Sequence, residues 1–103
     1  KIDIIICSSK RETMSLAITE GMMFGKVCIM TKTTGMSDYV INEENGFVYD
    51  YGNYAELSEL LNDIMNNKYN LESIKKQARQ TYEDNFTINK LAERLEKNII
   101  KQL

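Results

Sequence analysis

The segment from Ile2 to Cys7 constrains the fold most. Ile2, Ile4, Ile5, Ile6 and Cys7 make an apolar run broken only by Asp3. A strand with one wet face alternates apolar and polar residues, so an unalternating run predicts a strand buried on both faces of a parallel sheet. Ser8 to Glu12 then form a polar loop. From Thr13 to Phe24 the residues Leu16, Ala17, Ile18, Met22, Met23 and Phe24 cover most of a helical wheel, which predicts a buried helix stopped by Gly25. Val27 to Met30 is a second short strand, Thr31 to Gly35 a loop, and Ser37 to Ile41 a single helical turn. The cluster from Asn42 to Gly46 is a turn, and Phe47, Val48 and Tyr49 form a third strand. Strand, helix, strand, short helix, strand requires a parallel sheet with right-handed crossovers.

The second half is helical. Asn53 followed by Glu56 makes a capping box, and Leu57, Leu60, Leu61, Ile64 and Met65 mark one face of a helix running to about Asn67. Asn70 caps the next helix, with Leu71, Ile74, Ala78 and Tyr82 on its apolar face. Thr87 caps a last one, with Ile88, Leu91, Ala92, Leu95, Ile99 and Leu103 inward and Glu93 and Lys97 paired on its wet side. The expected class is α/β: half of a doubly wound, Rossmann-like sheet, three parallel strands with flanking helices and a helical C-terminal cover. Half a sheet leaves an open apolar edge, an aggregation hazard. Its missing neighbours are expected before Lys1, so residues 1–103 read as one unit of a longer domain.

Composition narrows the chemistry. The 103 residues contain no His, Pro or Trp and carry a net charge of −2. No Ser-His-Asp triad, Cys-His pair or His-ligated metal can form within the chain. The charge gives no footprint for nucleic acid or anionic lipid. Cys7 and Cys28 sit in separate apolar runs and are expected as buried, reduced thiols rather than zinc ligands or a disulfide. No apolar stretch approaches the ~20 residues that span a bilayer, and no signal peptide is present, so a cytoplasmic setting is expected.

Two glutamates stand out after the first strand: Glu12 at the junction of loop and helix, and Glu20 between Ile18 and Met22. A carboxylate in apolar surroundings is costly unless it meets a donor. The helix start adds free N–H groups at Thr13, Met14, Ser15 and Leu16, whose dipole favours a phosphate. Amides for a diphosphate beside carboxylates for sugar hydroxyls suit a nucleotide sugar, at the carboxyl end of a parallel strand where open α/β sheets bind ligands. Plainer readings compete. Glu12 can be an ordinary N-terminal acid, and Ser9, Thr13 and Ser15 can be caps. Lys10 and Arg11 fit a solvated pair, the six Met residues a gap-filling core, and Lys75, Lys76 and Arg79 a wet helix face.

The frame from Glu12 to Glu20, together with the strand ending at Ser8-Ser9, resembles the C-terminal donor-binding domain of retaining GT-B glycosyltransferases, the glycosyl transferases group 1. Ser9, Glu12, Leu16, Glu20, Met22, Gly25 and Val27 match that family's pattern. The likeness continues through Thr34-Gly35-Met36-Ser37-Asp38-Tyr39-Val40 and Asn45-Gly46-Phe47-Val48. Ser8 and Lys26 replace prolines, Thr34 a glycine and Asp38 a glutamate, and Gly21-Met22 departs from the usual Ala-Met order. The role of Asp38, one methylene shorter, stays open.

The resemblance implies that Glu20 binds the donor's ribose, that Glu12 acts at the donor sugar or steadies charge near the anomeric carbon, and that Ser9 and the amides of Thr13 to Leu16 hold the diphosphate. It further implies transfer without a metal or other cofactor. The partners implied are a nucleotide-sugar donor and a glycan or lipid-linked acceptor held by a domain outside this chain, with membrane association a matter for the complete protein only. The chain alone is then expected to be inactive. The alternatives are a non-catalytic nucleotide-sugar-binding module and a sugar-nucleotide epimerase of the same fold. A receiver-type signalling domain is disfavoured, because no acidic pair follows the first strand.

Overall fold

The computed structural model describes residues 4–8, 16–90, 92, 93 and 96. Its elements are β1 (Ile4–Cys7), α1 (Leu16–Met23), β2 (Val27–Thr31), a 3-10 helix (Gly35–Tyr39), β3 (Phe47–Tyr49), α2 (Tyr54–Met65) and α3 (Leu71–Asn85). The strands are parallel in the order β1-β2-β3, with Ile5 opposite Cys28 and Ile29 opposite Phe47. This is the expected half of an α/β Rossmann-like sheet.

The strand buried throughout is β2, not β1. Its alternation divides the core in two. Cys28 and Met30 point to one face and pack with Ile18, Met22, Ala78 and Phe86. Val27 and Ile29 point to the other and pack with Phe47, Tyr49, Ile64 and Ile74. By contrast β1 pairs on one side only among the described residues, and Ile6 stays 45% exposed. Its unalternating sequence is that of an inner strand, but it stands here at an edge.

Contact with β1 and β2 sets the place of α1. A Cβ on Gly21 would lie 2.9 Å from Cys28 Sγ and 3.0 Å from Ile5 Cγ1, so only glycine permits this approach. The helix then ends as Gly25 turns left-handed at φ 63°. Gly25 N donates to Met22 O (3.1 Å) and Lys26 N to Gly21 O (2.8 Å), a complete Schellman motif. The helix is less buried than expected: Ile18, Gly21 and Met22 face the core, while Leu16 is 79% and Phe24 66% exposed.

The short helix begins at Gly35, two residues before the expected turn. Thr34, whose hydroxyl lies 3.1 Å from that of Thr31, accepts from Ser37 N and so starts the helix early. Asn45 anchors the turn that follows. It accepts from Ile41 N and donates to Tyr39 O and to Thr81 Oγ1 on α3. The caps of α2 and α3 are as expected, with Asn53 accepting from Glu56 N and Asn70 from Ser73 N. The Glu56 carboxylate, however, accepts from Asp50 N and so fastens the loop after β3. On α2, Met65 is exposed where a core residue was expected, as is Ile88 beyond α3. Lys90 N donates to Thr87 Oγ1 and residues 88–90 are helical. Leu91, Leu95, Lys97, Ile99 and Leu103 lie outside the described residues.

The tight contact at Gly21 gives a quantitative expectation. Gly21→Ala gains up to ~1 kcal/mol of helix propensity but overpacks the sheet, which costs roughly 1–3 kcal/mol. Urea denaturation should show net destabilisation. In a Cys28→Ala background, where only the contact with Ile5 remains, the same change should cost less. Equal effects in both backgrounds would rule out the contact with Cys28 as the cause.

Candidate functional site

Parallel strands place all carboxyl ends on one rim, and α3 lies across the opposite end. The carbonyl of Lys75 is 3.6 Å from where a Cβ on Gly25 would stand, and Thr81 meets Asn45. The amino end of the sheet is therefore covered. The rim at the carboxyl end carries Ser8 after β1, the loop from Lys32 to Thr34 after β2, and the loop from Asp50 to Asn53 after β3.

Of the site residues expected from sequence, Ser9, Glu12, Thr13, Met14 and Ser15 lie outside the described residues. Leu16 opens α1 with its side chain exposed. Glu20 is exposed too, which corrects the expectation of an apolar setting. Two residues along a helix is a rotation of about 200°, so burial of Ile18 and Met22 turns Glu20 to the opposite side. It borders an open depression of about 150 Å³ with Ile5, Ala17, Gly21, Phe24 and Lys26. Among the described residues its carboxylate has no hydrogen-bond or ion-pair partner. Desolvation no longer argues that Glu20 needs a donor, yet both its oxygens are free to accept one.

On the neighbouring rim loop Thr33 Oγ1 donates to Thr31 Oγ1 (3.2 Å), and Ser37 Oγ donates to Lys32 O. Lys32, which belongs to no motif in the sequence, directly follows β2 and pairs with Asp50 at 3.3 Å. Both side chains are more than half exposed, so the pair contributes about 0–1 kcal/mol. Its signal was its place as the first residue beyond a buried strand. Asp38 lies exposed on the 3-10 helix.

Other concavities lie beside β3 and at the start of α3. One, of about 170 Å³, is lined by Glu43, Glu56, Glu59 and Asp63 beside Tyr69. The Tyr69 phenol is held above its ordinary range by burial and then by the charges of Glu43 and Asp63. That acidity repels a diphosphate. Among the described residues no group of three or more Cys, Asp or Glu side chains could hold a metal ion, and no helix is long and apolar enough to cross a membrane.

The thiols differ from each other. Cys28 is buried as expected, and burial pushes its thiol from 9.0 up to about 12 against a small opposing effect of Lys26. Cys7 is only half-buried, because β1 stands at the sheet edge.

Residues 1–81 match the family model for Glycosyl transferases group 1. The chain belongs to this family. Among relatives of this group 1 glycosyl transferase chain, spore coat protein SA of Bacillus subtilis is 28% identical over 95 residues, covering 90% of the chain and 25% of the relative. The capsular polysaccharide biosynthesis glycosyltransferase CapM of Staphylococcus aureus is 25% identical over 95 residues, 92% of the chain and 25% of the relative. The crystal structure of Anabaena HepE in complex with UDP-glucose superposes with a TM-score of 0.83 at 20% identity, over 96% of this chain and 28% of HepE. The chain thus spans about a quarter of the relatives it matches, with the Rossmann-like α/β fold of a GT-B glycosyltransferase domain.

The contrast between the thiols is open to titration. In the native chain at pH 8 one equivalent of an aromatic disulfide reagent should react, at Cys7, and Cys7→Ser should abolish that reaction until denaturant is added. Because folding raises the Cys28 pKa, its contribution to stability is complete below pH 9.0 and is lost as pH rises toward about 12. Cys28→Ala should flatten the loss of stability over that range. A rapid thiol reaction in native Cys7→Ser would contradict this placement.

Proposed function

We propose that the chain is the donor-binding part of an enzyme that transfers a sugar from a nucleoside diphosphate to an acceptor hydroxyl in glycan or glycoconjugate synthesis. The observation that carries this reading is the exposed carboxylate of Glu20, without a partner among the described residues, on the helix that follows the carboxyl end of β1. Family membership supports transfer as the reaction. The HepE complex with UDP-glucose supports a nucleotide-sugar donor, and the relation to CapM supports a polysaccharide setting.

In this reading the Glu20 oxygens accept hydrogen bonds from the two ribose hydroxyls, and the N-terminal amides of the helix, from Thr13 to Leu16, take the diphosphate with Ser9. Glu12 stands at the donor sugar and steadies positive charge as the anomeric bond loosens. No metal is required of these residues, since the amides and the helix dipole stabilise the leaving diphosphate. The outer edge of β1 supports a domain that continues with further strands from an earlier part of the polypeptide. The acceptor is bound by a separate domain, so residues 1–103 alone are expected not to transfer sugar.

The test uses the complete protein with UDP-glucose as probe. Hydrogen bonds to a charged group contribute about 1.5–3 kcal/mol, so Glu20→Ala should weaken donor affinity roughly 10- to 100-fold while leaving the melting temperature nearly unchanged. Unaltered donor affinity and transfer in Glu20→Ala would overturn the assignment.

A further inference from the structure

Arg79 falls on the face of α3 expected from sequence to be simply wet, but it is tied to α1. The last carbonyls of α1 can be accounted for one by one. Phe24 N takes the carbonyl of Glu20 (3.0 Å), Lys26 N that of Gly21 and Gly25 N that of Met22. The carbonyl of Met23 is left over, and no basic residue stands in the helix's own last turn to meet it. The guanidinium of Arg79 donates from Nη1 to this carbonyl, reaching across from α3.

The guanidinium is held in place from two further sides. Its Nε donates to Glu83 at 2.9 Å, and its centre lies 5.4 Å from the Tyr82 ring. One turn earlier on α3, Lys75 O abuts Gly25, and between them Ala78 is buried with Ile18 and Met22. The end of α1 is thus gripped by one face of α3. Gly21 sets how near the helix lies to the sheet, Gly25 ends it, and Arg79 meets its leftover carbonyl. A cation at the C-terminus also complements the helix dipole.

We propose that Arg79 is a positioning residue, which through the carbonyl of Met23 sets the axial placement of α1 and so of the Glu20 that it carries. This rests on the donor-site reading above. Displacement of a binding group by about 1 Å can cost up to 10²-fold in function. The bond itself is exposed, so its loss should be felt more in ligand affinity than in stability.

The experiment measures UDP binding to the complete protein by calorimetry, alongside thermal unfolding. Arg79→Met should weaken UDP binding roughly tenfold and lower the melting temperature by no more than a few degrees. Arg79→Lys, which keeps a donor and a charge, should recover part of the affinity, and Glu83→Gln, which releases the brace, should give an intermediate loss. Wild-type binding of UDP with affinity unchanged in Arg79→Met would overturn the role of Arg79 alone. So would a loss of affinity in Arg79→Met matched by an equal loss of fold that Arg79→Lys does not relieve. Failure of the wild-type protein to bind UDP, GDP, ADP or dTDP would overturn the donor-site reading and this inference with it.

Discussion

The contact on which the rest of this structure depends is that of Gly21 with the sheet. A helix normally stands off its sheet by the depth of its side chains. Here the backbone of α1 rests against Cys28 Sγ and the Ile5 side chain, where a methyl group would overlap both. That contact holds α1 over β1 and β2. With Ile18 and Met22 turned into the core, Ala17 and Glu20 are turned outward. The orientation of the candidate site follows from packing on the opposite side of the same helix.

A second consequence is the polarity of the molecule. Parallel strands give the sheet two unlike ends, and α3 closes one of them through Lys75, Ala78 and Thr81. The other end carries loops rich in hydroxyls, with Lys32 at its rim. Acidic side chains gather around Glu43, Glu56, Glu59 and Asp63, in the groove beside β3. The acidic groove is therefore disfavoured for an anionic ligand, and the net charge of −2 gives no hint of where such a ligand would bind.

Much of this was legible in the sequence because it depends on local rules. The third strand, Phe47–Tyr49, matches residue for residue, and the caps at Asn53 and Asn70 act through the expected side chains. What could not be read depends on neighbours distant in sequence. An unalternating run such as that of β1 signals two covered faces, but cannot say whether the second cover is present. The reason for glycine at position 21 emerges only when Cys28 is seen opposite Ile5. Glu20 differs from its sequence surroundings for a simpler reason: its apolar neighbours are two residues away, and helical periodicity puts such neighbours on the other face. Arg79 resembled any surface cation, since its partner is a backbone carbonyl 56 residues earlier. Tyr49 has no comparable account: its ring is fully buried and, among the described residues, its hydroxyl has no partner.

The central claim is that ligand binds at the carboxyl rim beside α1. Hydrogen exchange of the complete protein, with and without UDP-glucose and resolved to short peptides, tests it most directly. Ligand should slow exchange in the segment from Ser8 to Glu20 and in the loop from Lys32 to Gly35, leaving the groove around Asn42, Asp63 and Tyr69 unchanged. Protection confined to that acidic groove, or no protection along α1, would contradict the account.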